Sequence, residues 1–182
     1  MIWSEREARR IEKARTLIRS GVPASIGQWA DLGCGDGIFA SALHTLSPSS
    51  EIYAIDRDRN ALKALVRNFA ESYPDAILQT QIADFTRSID LPPLDGIIMA
   101  NSLHFVRDKV PALDLIQKML KPNGRLIVVE YNADRGNGAV PYPISDQQFL
   151  KFAKSIGLRD AQIINRIPST FLGEMYAALS FA

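Results

Sequence analysis

The chain has a single cysteine, Cys34, so no disulfide can form within it, and it suits a reducing compartment. Nor does it contain an apolar run near the roughly 18 residues that a membrane-spanning helix needs. The opening residues MIWSEREARR become charged almost at once and lack the apolar centre of a secretory signal. Lysine and arginine number 21 against 20 aspartates and glutamates, and a net charge of +1 exerts no global pull toward nucleic acid or a membrane. These absences lead to the expectation of a soluble, cytoplasmic protein with no membrane partner.

What is present is ordinary in amount and informative in order. A chain of 182 residues with 47% hydrophobic content is long enough to bury a sizeable core, about 70% of its unfolded surface. It shows no internal repeat and no low-complexity tract, so residues 1–182 are expected to form one domain. Ser4 and Glu7 make an S-x-x-E capping box, which predicts a helix from about Glu5 to Arg19. Apolar and amphipathic stretches then alternate. QWADLG reads as a strand, DGIFASALHTL as a helix, EIYAID as a strand and RDRNALKALVRNFAES as a helix. AILQTQIAD, GIIMANS and RLIVVEYN are three further strands, with the helix KVPALDLIQKML before the last of them and KPNG as its stop. A loop rich in glycine and proline, 133–143, precedes the helix SDQQFLKFAKSIG and two closing strands, AQIINRI and GEMYAALSFA. Strands alternating with helices imply a mostly parallel sheet covered on both faces. The last two strands have no helix between them and should pair antiparallel at one edge.

The chemistry gathers at ADLGCGDGIFA, residues 30–40, where a strand runs into a glycine turn that opens a helix. Glycine permits backbone angles and close ligand approach that other residues resist, and ligands of such sheets sit beyond the carboxyl ends of the strands. Asp56 closes the next strand, where a carboxylate can accept both hydroxyl protons of a ribose. The dinucleotide fingerprint G-x-G-x-x-G would require glycine at 38, but Ile38 stands there, which disfavours a nicotinamide dehydrogenase. No G-K-[ST] follows, so a P-loop is excluded. Asp31 and Asp36 are unwelcome beside a pyrophosphate and suit a ligand with a cationic end. S-adenosyl-L-methionine (SAM), an adenosine carrying a sulfonium and an ammonium, meets that requirement.

DLGCGDG resembles the first motif of class I SAM-dependent methyltransferases, D/E-x-G-x-G-x-G. YAIDRD, IADFT, LDGIIMANSLHFV and LKPNGRLIVVE resemble the motifs that follow it, in order and at the family's spacing along nearly the whole chain. The resemblance implies a seven-stranded α/β sandwich with the last strand antiparallel. It also implies cofactor contacts from Asp31, Gly33, Cys34, Gly35 and Gly37, then from Asp56 and Arg57 at the ribose. Asp84 would accept from the adenine amino group, Phe85 would pack near the ring, and Asn101 would end beside the methionine part. The product would be S-adenosyl-L-homocysteine (SAH). The family's metal-dependent pattern asks for an aspartate where Ala100 and Asn101 stand, so no metal is expected. No [ND]-P-P-[YF] follows strand four either, unlike members that methylate amino groups of nucleic-acid bases or glutamine amides.

The acceptor side is less legible. His104 is either a base or a wall of the cofactor pocket, since histidine titrates near neutral pH. His44, inside a helix, reads as structural. Glu130, Tyr131 and Asn132 end strand five and either reach an acceptor or satisfy local backbone groups. Arg135 and Tyr142, in the long loop, are candidates for clamping an anionic or planar acceptor. Six basic residues against three acidic ones in the N-terminal helix are either a solvated face or a guide for RNA. In the family such helices form lids, and Trp3, Ile11 and Ile18 are candidates for lining one over residues 1–22. A small-molecule acceptor is the main expectation. An RNA methyltransferase, or a SAM-binding domain without catalysis, is the alternative.

Overall fold

The computed structural model describes residues 3–182; Met1 and Ile2, the first two positions of the expected 1–22 lid, lie outside the described residues. Helix α1, Glu5–Ile18, begins as the capping box requires. The Glu7 N–H donates to Ser4 Oγ at 3.3 Å, and the Ser4 N–H donates to Glu7 Oε2 at 2.9 Å. Its buried residues are Ile11, Ala14, Leu17 and Ile18. Trp3, Ile11 and Ile18 therefore belong to the hydrophobic core and do not line a pocket, because the apolar stripe of an amphipathic helix turns toward the sheet.

The order continues β1 (Gln28–Leu32), α2 (Ile38–Leu46), β2 (Glu51–Asp56), α3 (Arg59–Ser72), β3 (Leu78–Ile82) and β4 (Leu94–Ala100). A short 3-10 turn, Leu103–Phe105, leads to α4 (Lys109–Met119), β5 (Leu120–Tyr131), α5 (Asp146–Ser155), β6 (Arg159–Ser169) and β7 (Gly173–Phe181). The seven strands form one sheet in the order β3-β2-β1-β4-β5-β7-β6. Only β7 runs against the rest, pairing antiparallel with both β5 and β6, which confirms the expected arrangement. The order reverses between β1 and β4, and a crevice opens there at the carboxyl ends.

Alternate residues of each strand face opposite layers. Ile98 and Ala100 of β4 pack with α1, α2 and α3, while Ile97 and Met99 pack with α4 and α5. Trp29, 1% exposed, spreads over its partner Gly96; a Cβ there would come within 2.3 Å of the indole. Strand β5 starts earlier than the pattern predicts. Leu120 pairs with Leu94, the Lys121–Gly124 turn bulges out with Asn123 at φ 65°, and the regular ladder resumes at Arg125. Among the described residues no helix is long and apolar enough to cross a membrane.

Candidate active site

Three glycines after β1 take positive φ, 78° at Gly33, 53° at Gly35 and 88° at Gly37, so the turn wraps tightly before α2 starts at Ile38. The Gly33 and Cys34 N–H groups both donate to the Ile55 carbonyl, at 2.8 and 3.1 Å, tying the loop to β2. Asp56 reinforces this: its Oδ2 accepts the Gly35 N–H and its Oδ1 the Asp58 N–H, each at 2.8 Å. Each oxygen keeps a further lone pair for a ligand. Asp84, just past β3, accepts from the hydroxyl and N–H of Thr86, and these bonds hold its carboxyl below the usual range.

Asp31 differs from both. It is 1% exposed, and neither carboxylate oxygen has a side-chain partner; the backbone N–H of Ala40, in the first turn of α2, offers it partial compensation. Burial pushes its pKa up to about 7, with the nearby Asp56 and Asp36 charges adding to the rise. Asp36, by contrast, is satisfied: Arg10 of α1 bonds it at 2.8 Å. Burial also drives the Cys34 thiol far above its ordinary range, which keeps it protonated and unreactive.

Two cavities meet at this loop. One, about 620 Å³, is lined by Asp56, Arg57, Asp84, Phe85 and Ser102 among others. The other, about 360 Å³, lies between α1 and the sheet and is lined by Gly35, Cys34, Phe39, Tyr131 and Met175 among others. Gly33 and Asn101 belong to both linings. Asn101 holds φ at 53°, rare for a residue other than glycine, and its buried Oδ1 has no partner. So the structure brings Gly33, Cys34 and Gly35 of the predicted loop together with Asp56, Arg57, Asp84, Phe85 and Asn101 around two adjoining cavities, while Asp31 and Gly37 line neither.

The model of a methyltransferase domain family matches residues 30–126, from β1 into β5. This chain belongs to that family. It is 30% identical over 122 residues to ribosomal RNA small subunit methyltransferase C of Shewanella sediminis, covering 62% of this chain. The chain spans about a third, 34%, of that curated relative's length. Among solved structures, the N-methyltransferase NodS of Bradyrhizobium japonicum superposes with a TM-score of 0.73 at 18% identity, covering 98% of this chain and 97% of that one. Human N-acetylserotonin methyltransferase in complex with SAM gives 0.69 at 21% identity, covering 96% of this chain and 56% of that one. These two likenesses are likenesses of fold.

In this methyltransferase domain the acceptor-side candidates separate. Tyr131 faces the smaller cavity and packs edge-on against Phe171, with ring centroids 5.5 Å apart. Glu130 is fully buried and does not reach open space. Its Oε2 lies 2.7 Å from His104 Nδ1, and its Oε1 accepts the His104 N–H at 3.1 Å. Asn132 is consumed locally, its amide donating to Glu174 Oε1 at 2.8 Å and its Oδ1 accepting the Asp146 N–H at 3.1 Å. Tyr142 closes the loop through its backbone, donating to the His104 carbonyl and accepting from Lys109 Nζ. Arg135 and Tyr142 line neither cavity, because the 133–143 loop folds back over the 3-10 turn. His44 stacks on Tyr73 and Phe69, away from the crevice.

Sequence reasoning missed Arg10, Lys13, Ala14 and Leu17 as lining residues. Their i, i+3, i+4, i+7 spacing runs along one edge of the core stripe, to which Ala14 and Leu17 themselves belong, and it was the one signal available.

Proposed function

We propose that this chain is a SAM-dependent methyltransferase acting on a small molecule. The observation that carries the reading is a buried carboxylate without a partner, Asp31, under a glycine loop. Asp56 and Asp84 stand at the ends of the next two strands. A buried unpaired charge is costly, and an ammonium removes that cost, whereas a pyrophosphate would raise it. The bound cofactor would supply a methyl group on a sulfonium, already joined to a good leaving group. Asp31 and Asn101 would face its ammonium, Asp56 and Arg57 its ribose, and Asp84 and Phe85 its adenine. Gly33 and Gly35 would leave room for it against the backbone.

The protein's own work is then to hold a nucleophile in line and exclude water, which can lower a barrier by roughly 7–11 kcal/mol. Where the acceptor must lose a proton, His104 is the group to take it. With Glu130 Oε2 2.7 Å from Nδ1, the neutral tautomer that donates to the carboxylate leaves Nε2 as the bare nitrogen. The ring is itself buried, 3% exposed, and lines neither cavity; it sits behind Phe105 and Tyr131, which do. His104→Gln is expected to lower kcat at least 10-fold with SAM affinity unchanged. A fall in thermal stability with an unchanged kcat would make the pair purely structural.

The cavity of about 360 Å³ under α1 would be shared by the amino-acid end of the cofactor and the acceptor, and space of that size supports a small acceptor. The RNA reading is weakened by pairing of the helix's cations, Arg9 with Glu5 and Arg15 with Glu12 within α1, and Arg10 with Asp36 of the glycine loop. The rest of the proposal is a single domain over 1–182, a cytoplasmic location, the N-terminal helix as lid and 133–143 as a loop beside the substrate. Thermal-shift titration tests the cofactor. At a hundred times Kd a ligand adds about 2.7 kcal/mol, roughly 5–10 °C for a domain of this size. SAM and SAH should produce that shift, NADH and ATP should not, and Asp56→Ala should reduce it. Methyl-labelled SAM with metabolite and RNA pools then tests the acceptor. Label only in RNA would overturn the small-molecule reading, and no turnover with either would leave a binding domain.

A further inference from the structure

We propose that Arg10 and Lys13 on α1 hold the carboxylate at the amino-acid end of the cofactor. This rests on the SAM reading above. The two side chains are one helical turn apart and line the smaller cavity together with Gly33, Gly35 and Asn101. The nucleoside-side residues Asp56 and Asp84 line only the larger one. A ligand with its ribose at Asp56 must therefore pass Gly33 and Asn101, and whatever extends beyond them enters the space roofed by α1.

The two sides of that space carry opposite polarity. The sheet side offers buried acceptor oxygens without partners, Asp31 beneath the loop and Asn101 Oδ1 at the junction. The α1 side offers two cations. The amino-acid end of SAM has an ammonium and a carboxylate on one carbon, so only one orientation satisfies both sides. Both cations keep hydrogen-bonding capacity for a ligand. Lys13 Nζ donates to the Pro168 carbonyl at 2.9 Å, a neutral partner that leaves its charge uncompensated. Arg10 gives one Nη1 hydrogen to Asp36 at 2.8 Å, and a guanidinium has five. Both members of that pair are about half exposed, so the pair is weak and yields to a second carboxylate. It holds the guanidinium in place over the glycine loop. The buried Ile11, Ala14, Leu17 and Ile18 hold the helix itself, so the cations sit on a fixed element and less ordering is needed when the ligand binds.

Calorimetric titration of the whole chain separates the amino-acid end from the rest of the ligand. SAH carries the carboxylate, whereas 5′-methylthioadenosine keeps the nucleoside and sulfur and lacks it. Arg10→Gln with Lys13→Gln preserves the apolar stems of both side chains. The double variant is expected to bind SAH about 10–100-fold more weakly, the range for losing charge-assisted hydrogen bonds. Its affinity for 5′-methylthioadenosine is expected to stay within about twofold of wild type. Equal losses for both ligands, or no loss for SAH, would overturn the proposal. An unchanged SAH affinity with a raised acceptor KM would assign the pair to an anionic acceptor instead. Failure of the wild type to bind SAH at all would strike the SAM reading itself.

Discussion

Replacing Asp31 by asparagine should make the ligand-free protein more stable at pH 8 while weakening its cofactor binding. The carboxyl has a folded-state pKa of about 7 against an ordinary 3.8, because burial disfavours its charge. With the folded value above the unfolded one, the folded chain binds more protons between those two values. Stability therefore falls as pH rises through that window, and the contribution present below it is lost. Complete ionisation in a fully buried site costs about 4 kcal/mol on that shift. Asparagine has nearly the same shape and cannot ionise. The two proteins should melt together near pH 4 and diverge by roughly 10 °C at pH 8, the variant being the more stable. Scanning calorimetry across that range checks the expectation, and parallel curves would mean that the carboxylate has a compensating partner. Binding should move the other way. A ligand ammonium gains a charge-assisted bond from the ionised group, so the variant should bind SAH about 10–100-fold more weakly at pH 8. Wild-type affinity should itself decline as pH drops below 7. Asp31 would thus be a residue whose strain in the empty site is relieved by its ligand.

The second large effect is expected at Gly33. Its φ of 78° lies in the left-handed region, and an added Cβ would come within 2.5 Å of Ser102 Cβ. Ser102 is not free to retreat, because its hydroxyl donates to the Leu32 carbonyl at 2.8 Å at the end of β1. Gly33→Ala should cost about 2–4 kcal/mol, the backbone term and the overpacking term together. Gly33 also lines both cavities, so SAH affinity should fall below detection even where the variant remains folded. Urea denaturation and calorimetric titration read the two effects separately. Gly138→Ala is the control, since nothing stands within 4 Å of its Cβ position, and it should change stability by less than about 0.5 kcal/mol. A Gly33→Ala protein that binds SAH as wild type does would place the ligand elsewhere.

Much of the fold was legible because the signals were local. The Ser4–Glu7 capping box, the alternation along Ile97, Ile98 and Met99, and the glycine turn before Ile38 each depend on residues within a few positions. Local geometry follows from them. The boundary of β5 was not legible, because Leu120 belongs to the strand through a partner 26 positions away, Leu94. For the crevice, the order of Asp31, Asp56 and Asp84 along successive strands already placed three carboxylates at one end of the sheet.

Which of those groups is spoken for was decided by tertiary structure alone. Asp31 and Asp36 look alike in DLGCGDG, yet Arg10 reaches across to one and leaves the other bare. Glu130 and Asn132 flank Tyr131 at the end of β5, and each is consumed by a partner from a distant segment, His104 for one and Glu174 for the other. Arg135 sits in the expected loop and lines neither cavity, while Lys13, one of the six basic residues of the N-terminal helix, faces one of them. The sequence by itself determined the elements, their order and the residue types at the strand ends, because backbone preference and apolar periodicity act over a few residues. Only the packed molecule decided which charges stay unpaired, because pairing depends on which distant segments cross and how deeply water is excluded between them.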